Sequence, residues 1–287
     1  MPDDHSSSST PNSAAGRHRL APGEVHVWHL PLDVPQYQLA ALRSILAPDE
    51  QARAARFVFD RDRDHYTVAR GSLRCILARY MEATPGGVRP ADLRFAYGRN
   101  GKPALAAPFD ATGITFNLSH SGTRALAAVA GGGSPVGIDI ERIDTSRACA
   151  GIAGRFFSPA EQATLAAVPE ERYALGFFKC WASKEAYIKG RGAGLKIPLD
   201  GFDVCPDPDA PARLLRPYAE RWIDAADPGE DDADAVAVTG DEDAAAAAEW
   251  MLHDVAAEPG YAAALATVGM PSRILSFAWP GAAPMPR

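Results

Sequence analysis

Apolar and polar positions change period several times along the chain. Glu24–Leu30 alternates, with Val25, Val27 and His29 on one face, which predicts a strand. Pro48 to Met81 reads as helical. An Ala/Arg-rich turn there leads into Phe57-Val58-Phe59, and Asp60 caps a longer helix carrying Tyr66, Val68, Ala69, Leu73, Ile76 and Leu77. Tyr97 to Leu105 holds Gly98, Asn100-Gly101 and Pro103, the chemistry of a hairpin turn. Ile114–Leu118 and Arg124–Ala130 read as strands around a Ser-His-Ser-Gly turn, and Val136–Ile140 as another. Ser158-Pro159-Ala160-Glu161 is a helix start with its N-cap, first-turn proline and capping glutamate in place. Arg172–Lys189 reads as one long helix closed by Gly190 and Gly192, and Tyr261–Val268 and Arg273–Trp279 as final strands.

Weak internal repetition runs through this pattern. Arg124-Ala-Leu-Ala-Ala-Val-Ala-Gly is similar to the segment from Tyr261 to Gly269. Arg56-Phe57 and Arg155-Phe156 each stand ahead of a helix. The expectation is an α+β protein of two similar halves, residues 23–133 and 134–280. Residues 1–22, Ser/Pro-rich and aperiodic, are expected to form a disordered tail, and 281–287 a second tail.

Charge changes the picture at one place. The chain of 287 residues carries a formal charge of −7. Ten Asp/Glu and no Lys or Arg fall within Asp224–Glu249, so the remainder is +3. That acidic, Ala-rich stretch is expected to be a disordered insertion. A mildly basic remainder suits anionic ligands but lacks the footprint of a nucleic-acid binder. The four cysteines form no C-x-x-C pair, which argues against zinc and dithiol chemistry and for reduced, buried thiols. No apolar run reaches the ~18 residues of a membrane helix and no signal-peptide pattern opens the chain, so a cytoplasmic protein away from membranes is expected.

Three strings carry candidate chemistry. In Val136-Gly-Ile-Asp-Ile-Glu141, alternation sets Asp139 and Glu141 on one face, where two carboxylates can share a hard cation. Gly137 leaves room for a close ligand. A strand with a solvated outer face explains the same pattern. In Trp181-Ala-Ser-Lys-Glu-Ala-Tyr-Ile-Lys189, a turn of about 100° per residue puts Trp181, Glu185 and Lys189 on one stripe, with Lys184 a quarter-turn away. An ordinary Glu–Lys pair on a solvent-facing helix explains that too, apart from the Trp on the polar stripe. Phe116-Asn-Leu-Ser-His-Ser-Gly122 offers hydroxyls, an imidazole and backbone N–H groups to an anion, or is a plain capped turn. A Ser-His hydrolase is disfavoured, because neighbours on a strand point apart and no G-x-S-x-G elbow is present.

Gly101-Lys102-Pro103 and these three strings occur in one order over about ninety residues. This set resembles the 4′-phosphopantetheinyl transferase superfamily, in its large single-chain, surfactin-synthetase-activating class, over Glu24 to Trp279. The resemblance implies two α+β halves, each a small antiparallel sheet with a long helix, and a cleft between them for coenzyme A and Mg²⁺. It implies Asp139, Glu141 and Glu185 as metal ligands and Lys184 and Lys189 on the diphosphate. Asn117 is implied on the coenzyme A side, with Ser119 and His120 near the adenosine 3′-phosphate and Lys102 and Arg61 beside them. Arg70 is a further phosphate contact on the same grounds.

The implied reaction is attack by a serine hydroxyl of an apo carrier protein on the β-phosphorus of coenzyme A, releasing adenosine 3′,5′-bisphosphate. Glu185, or a water it orients, is the candidate base, with Lys184 and Lys189 offsetting charge. Two fused halves imply a monomer. The alternatives are a non-catalytic coenzyme A or nucleotide-binding module and a magnesium-dependent coenzyme A pyrophosphate hydrolase. A pure polyanion binder gains nothing from three converging carboxylates, and the Glu-rich helix motif of the commonest such hydrolases is missing.

Overall fold

The computed structural model describes residues 12–13, 19–81, 87–218 and 249–281. The first half contains β1 (Asn12–Ser13), β2 (Glu24–Pro31), α1 (Gln36–Ser44), α2 (Pro48–Ala54), α3 (Asp60–Tyr80), β3 (Phe95–Tyr97), β4 (Pro103–Leu105), β5 (Thr115–Ser121) and β6 (Arg124–Ala130). There follow β7 (Val136–Arg142), α4 (Ala150–Phe156), α5 (Pro159–Ala166), α6 (Glu170–Arg191), β8 (Asp203–Val204), β9 (Leu214–Arg216), β10 (Trp250–Asp254), β11 (Tyr261–Val268) and β12 (Arg273–Ala278). The expected N-terminal tail, apart from β1 and residues 19–22, and the acidic stretch, apart from Glu249, lie outside the described residues, as do 282–287.

The two halves repeat one topology. In the first, β2, α3, β5 and β6 follow in sequence and the strands lie in the order β2-β6-β5. In the second, β7, α6, β10 and β11 follow and the order is β7-β11-β10. The third strand is central in both, and these central strands are the pair whose sequences match. The Arg-Phe pairs correspond less well: Arg56-Phe57 precedes α3, whereas Arg155-Phe156 ends α4 ahead of the shorter α5. The final strand corrects the expected boundary. β12 leaves the second half and pairs parallel to β2, so the last described element joins the first sheet, between β1 and β2.

Alanine-rich strands at the sheet centres reflect what covers them. Ala125, Ala127 and Val129 of β6 face α3 with Trp28, Leu73 and Ile76, while Leu126, Ala128 and Ala130 face the other half. There they meet Val25, Val27, Val136, Ile138, Ile140 and Leu265 in a seam between the two sheets. Residues buried on both faces lose the alternation of a half-solvated strand. Ala262, Ala264 and Ala266 of β11 pack in turn against the α6 core.

The predicted helix signals are where they belong. Ser158 accepts from Glu161 N–H while Glu161 reaches back to Ser158 N–H, closing the capping box of α5. α6 ends at Gly192, whose φ of 70° is the left-handed conformation of a helix stop. Of the four thiols, Cys180 and Cys205 are buried and Cys75 is half-buried, but Cys149 is exposed, unlike the expectation. Burial raises the pKa of Cys75 to about 11, so it carries no thiolate at neutral pH.

One close approach places the site. A Cβ on Gly137 would lie 2.0 Å from Ala186 O and 2.3 Å from Gly190 N, so β7 touches the backbone of α6 there. Gly137 therefore makes room for a helix and not, as expected from sequence, for a ligand. Gly190 is also tight, against the Trp250 ring. Because backbone cannot move aside as a flexible side chain can, Gly137→Ala should push α6 off β7. We expect a loss of about 3 kcal/mol or more, at the upper end of overpacking costs, measured as a fall in the denaturant midpoint. An unchanged midpoint would contradict this packing.

Candidate active site

Where α6 crosses β7, the alternation of β7 brings Asp139 and Glu141 to the helix, and the i,i+4 stripe of α6 brings Glu185 and Lys189 to the strand. Lys189 Nζ donates to Asp139 Oδ1 at 2.6 Å and to Ser119 Oγ at 3.0 Å. Ser119 donates in turn to Asp139 Oδ1 at 2.7 Å. Three elements thus meet on one carboxylate oxygen. The other, Asp139 Oδ2, is buried without a hydrogen-bond partner. Next along the strand, Ser121 Oγ donates to Glu141 Oε2 at 2.7 Å.

The charges are crowded. Burial raises the pKa of Asp139, although Lys189 opposes it. Burial and then the Asp139 charge raise Glu141, against the Ser121 hydrogen bond. Glu185 is raised by burial, with Asp139 and Glu141 adding to the shift. For Lys189, burial alone would lower the pKa, but the carboxylates, Asp139 first, reverse the sign and keep the ammonium charged. Among the described residues, no three carboxylate, imidazole or thiol groups already stand at metal-ligand spacing. The orphaned Asp139 oxygen and three mutually repelling carboxylates are nonetheless the donor chemistry of a hard divalent cation, so the residues fit Mg²⁺.

The structure separates the two lysines of the helix motif. An ammonium has three N–H donors. Lys184, 1% exposed, is surrounded by three acceptors: Leu199 O at 2.6 Å, Phe202 O at 2.8 Å and Glu161 Oε1 at 2.8 Å. It has no donor left for a diphosphate, and its expected role there is withdrawn. The reason is helical geometry. The quarter-turn between Lys184 and Glu185 sends Lys184 toward α5 and the 199–202 turn. Lys189 uses two donors within the cluster and keeps a third. Trp181 also joins the apolar side, stacked on Phe177 and edge-on to Phe156.

The expected Ser-His-Ser-Gly turn is strand as far as Ser121, continuing the strand expected to end at Leu118. β5 runs to Ser121 and the turn is Gly122-Thr123. Asn117, Ser119 and Ser121 share the face toward β7, and Asn117 Oδ1 accepts from Ile138 N–H at 2.9 Å. Ser119 is therefore committed to Asp139 and Lys189, not to a 3′-phosphate. His120 points the other way and is exposed. Its pKa is lowered, by crowding from protein first and then by Lys189, with His65, Asp62 and Arg53 also acting on it. Arg53, which sequence reading missed, lies over the Tyr66 ring and is one of the cations whose charge bears on His120. Its signal was its place four residues before Phe57 in the Ala/Arg-rich turn.

The remaining basic candidates divide. Lys102 Nζ donates to Gly190 O at 2.5 Å and Asn100 to Gly192 O at 2.9 Å, so the β3–β4 turn of the first half docks on the C-terminus of α6. That places a cation at the negative end of the helix, next to the Lys189 turn. Arg61 is exposed, beside Asp62, and lines a cavity of about 410 Å³ with Leu32, Asp33, Asp64 and His65. Arg70 is withdrawn as a phosphate contact. It is buried with Arg74 on the two oxygens of Glu50, at 2.5 and 2.6 Å, and lies over the Phe95 ring.

Two fused helix-on-sheet halves with a carboxylate–lysine cluster at their junction define the class: a two-domain α+β protein whose charged site lies where the halves meet. Residues 135–247 match the model of the 4′-phosphopantetheinyl transferase superfamily, and residues 34–131 that of the 4′-phosphopantetheinyl transferase N-terminal domain. The chain is 40% identical over 195 residues, 68% of its length, to the 4′-phosphopantetheinyl transferase HetI of Nostoc sp., of which it covers 79%. It is 32% identical over 161 residues, 56% of its length, to the 4′-phosphopantetheinyl transferase Sfp of Bacillus subtilis, covering 66% of that protein. The chain belongs to the 4′-phosphopantetheinyl transferase superfamily, in its large single-chain class.

The crowding has a cost in stability. A carboxylate whose folded pKa is raised is less willing to ionise folded than unfolded, so its ionisation destabilises the native state above its ordinary pKa. Glu185→Gln should therefore raise the thermal midpoint of the metal-free protein at pH 7. The gain should fade as pH drops through the ordinary glutamate pKa of 4.5 and vanish at about pH 3, where the carboxyl is protonated folded and unfolded. A fall in the midpoint at pH 7 would show that Glu185 is held by attraction.

Proposed function

We propose that this chain transfers the 4′-phosphopantetheine group of coenzyme A to a serine of an apo carrier protein, through the cluster at the β5–β7–α6 junction. The bond formed is serine Oγ to the β-phosphorus. The bond broken is the diphosphate bridge, and adenosine 3′,5′-bisphosphate leaves. The observation that carries the reading is the meeting of Lys189, Asp139 and Ser119 on one oxygen, with a second Asp139 oxygen left without a partner.

Asp139, Glu141 and Glu185 would hold Mg²⁺. When bound, the ion would offset negative charge on the diphosphate and favour in-line displacement. Lys189 offers its third N–H to a diphosphate oxygen and is positioned beforehand by Asp139 and Ser119. Glu185 makes no hydrogen bond or ion pair among the described residues; bound to the ion, it would act through a water that it orients to take the serine proton. Arg53 supplies positive charge for the 3′-phosphate and His120, its pKa lowered, a hydrogen bond, while Lys102 reaches from the first half to the C-terminus of α6. In this reading the enzyme works as a cytoplasmic monomer. A pure binding module would not need three carboxylates, which repel the same diphosphate.

Incubation with fluorescent coenzyme A, Mg²⁺ and a panel of apo carrier proteins should label a serine on at least one carrier. Asp139→Ala should abolish labelling at saturating Mg²⁺ with an unchanged circular dichroism spectrum. Retained labelling in that variant would remove the cluster from the chemistry. His120→Ala should raise KM for coenzyme A about tenfold, change kcat less, and barely alter KM for 3′-dephospho-coenzyme A. Equal losses on both substrates would remove His120 from the 3′-phosphate.

A further inference from the structure

β5 and β7 are edge strands of different sheets that run side by side without a main-chain ladder between them. The join is made by side chains at an offset of 20 or 21 residues. Asn117 Oδ1 accepts from Ile138 N–H, Ser119 Oγ donates to Asp139, and Ser121 Oγ accepts from Arg142 N–H at 3.1 Å while donating to Glu141 at 2.7 Å. A hydroxyl has one proton. Because Arg142 N–H occupies a lone pair of Ser121, the direction of its proton toward Glu141 is fixed. Two serines two residues apart on one strand thus each tie down one oxygen of two carboxylates two residues apart on the next.

We propose that Ser121 is a positioning residue for Glu141, the outer rung of this side-chain ladder. By holding Oε2, it turns the other Glu141 oxygen toward the cation shared with Asp139. Ser119 does the same for Asp139, but it also holds Lys189, so its removal would disturb two groups at once. Ser121 touches Glu141 alone in the cluster and is the cleaner probe. The inference rests on the reading of the cluster as a divalent-cation site. It adds that metal affinity is set by the first half of the molecule, which supplies none of the ligands.

The test is a Mn²⁺ titration of the full chain loaded with coenzyme A, followed by electron paramagnetic resonance, for wild type, Ser121→Ala and Ser121→Thr. A hydrogen bond to a charged group is strong enough for its loss to weaken binding about tenfold. Ser121→Ala should therefore raise the Mn²⁺ Kd about tenfold, with the thermal midpoint of the metal-free protein within a few degrees of wild type. Ser121→Thr, which restores the hydroxyl, should return Kd to within about threefold of wild type. Wild-type affinity in Ser121→Ala, or no rescue by Thr, overturns the positioning role and leaves the metal reading intact. Absence of Mn²⁺ binding in the wild type overturns that reading, and this inference with it.

Discussion

Everything in the site depends on α6 lying against β7 closely enough for the Lys189 ammonium to reach the Asp139 carboxylate. Two glycines permit that approach. Gly137 removes the side chain between strand and helix, and Gly190 removes the one between helix and Trp250. At 2.6 Å the pair is short and charge-assisted, and Asp139 is 1% exposed. Burying two charges costs several kcal/mol per ion before their attraction returns any of it. The pair survives because Ser119 adds a hydrogen bond to each partner and because the rest of α6 is anchored elsewhere. Lys184 is part of that anchor. Bound to α5 and the 199–202 turn by three bonds, it sets the rotation of α6, and hence the face on which Glu185 and Lys189 appear.

The same geometry explains why the cluster is incomplete as a stabilising network. A network built for stability would give each carboxylate a cation, as Arg70 and Arg74 do for Glu50 in the first half. Here three carboxylates share one ammonium, all three carboxyl pKa values are raised, and one buried oxygen goes unmatched. Such local frustration is expected where binding of a ligand supplies the missing partner. The two buried arrangements, one satisfied and one not, distinguish scaffold from site within a single chain.

Much of this was legible in the residues. The strands, the α5 capping box, the glycine stop of α6 and the Asp139–Glu141 and Glu185–Lys189 pairings follow from period and from capping chemistry. The doubling of the fold showed in the match of β6 with β11. Other features were hidden for physical reasons. Ser119-His-Ser121 reads as a turn because polar residues normally face water, whereas here Ser119 and Ser121 face polar groups of another strand. Lys184 and Trp181 sit beside functional residues in sequence, but a quarter-turn or a neighbouring aromatic cluster assigns them to packing. The return of β12 to the first sheet is a long-range pairing that no local pattern records.

The central claim is that the β5–β7–α6 junction holds the metal and the diphosphate together. Anomalous diffraction from crystals grown with Mn²⁺ and coenzyme A tests it directly. The account predicts one Mn²⁺ peak within about 2.5 Å of Asp139 Oδ2 and of a Glu185 oxygen, with the diphosphate between that ion and Lys189. A metal peak away from Asp139, or a diphosphate lying against Lys184, would contradict it.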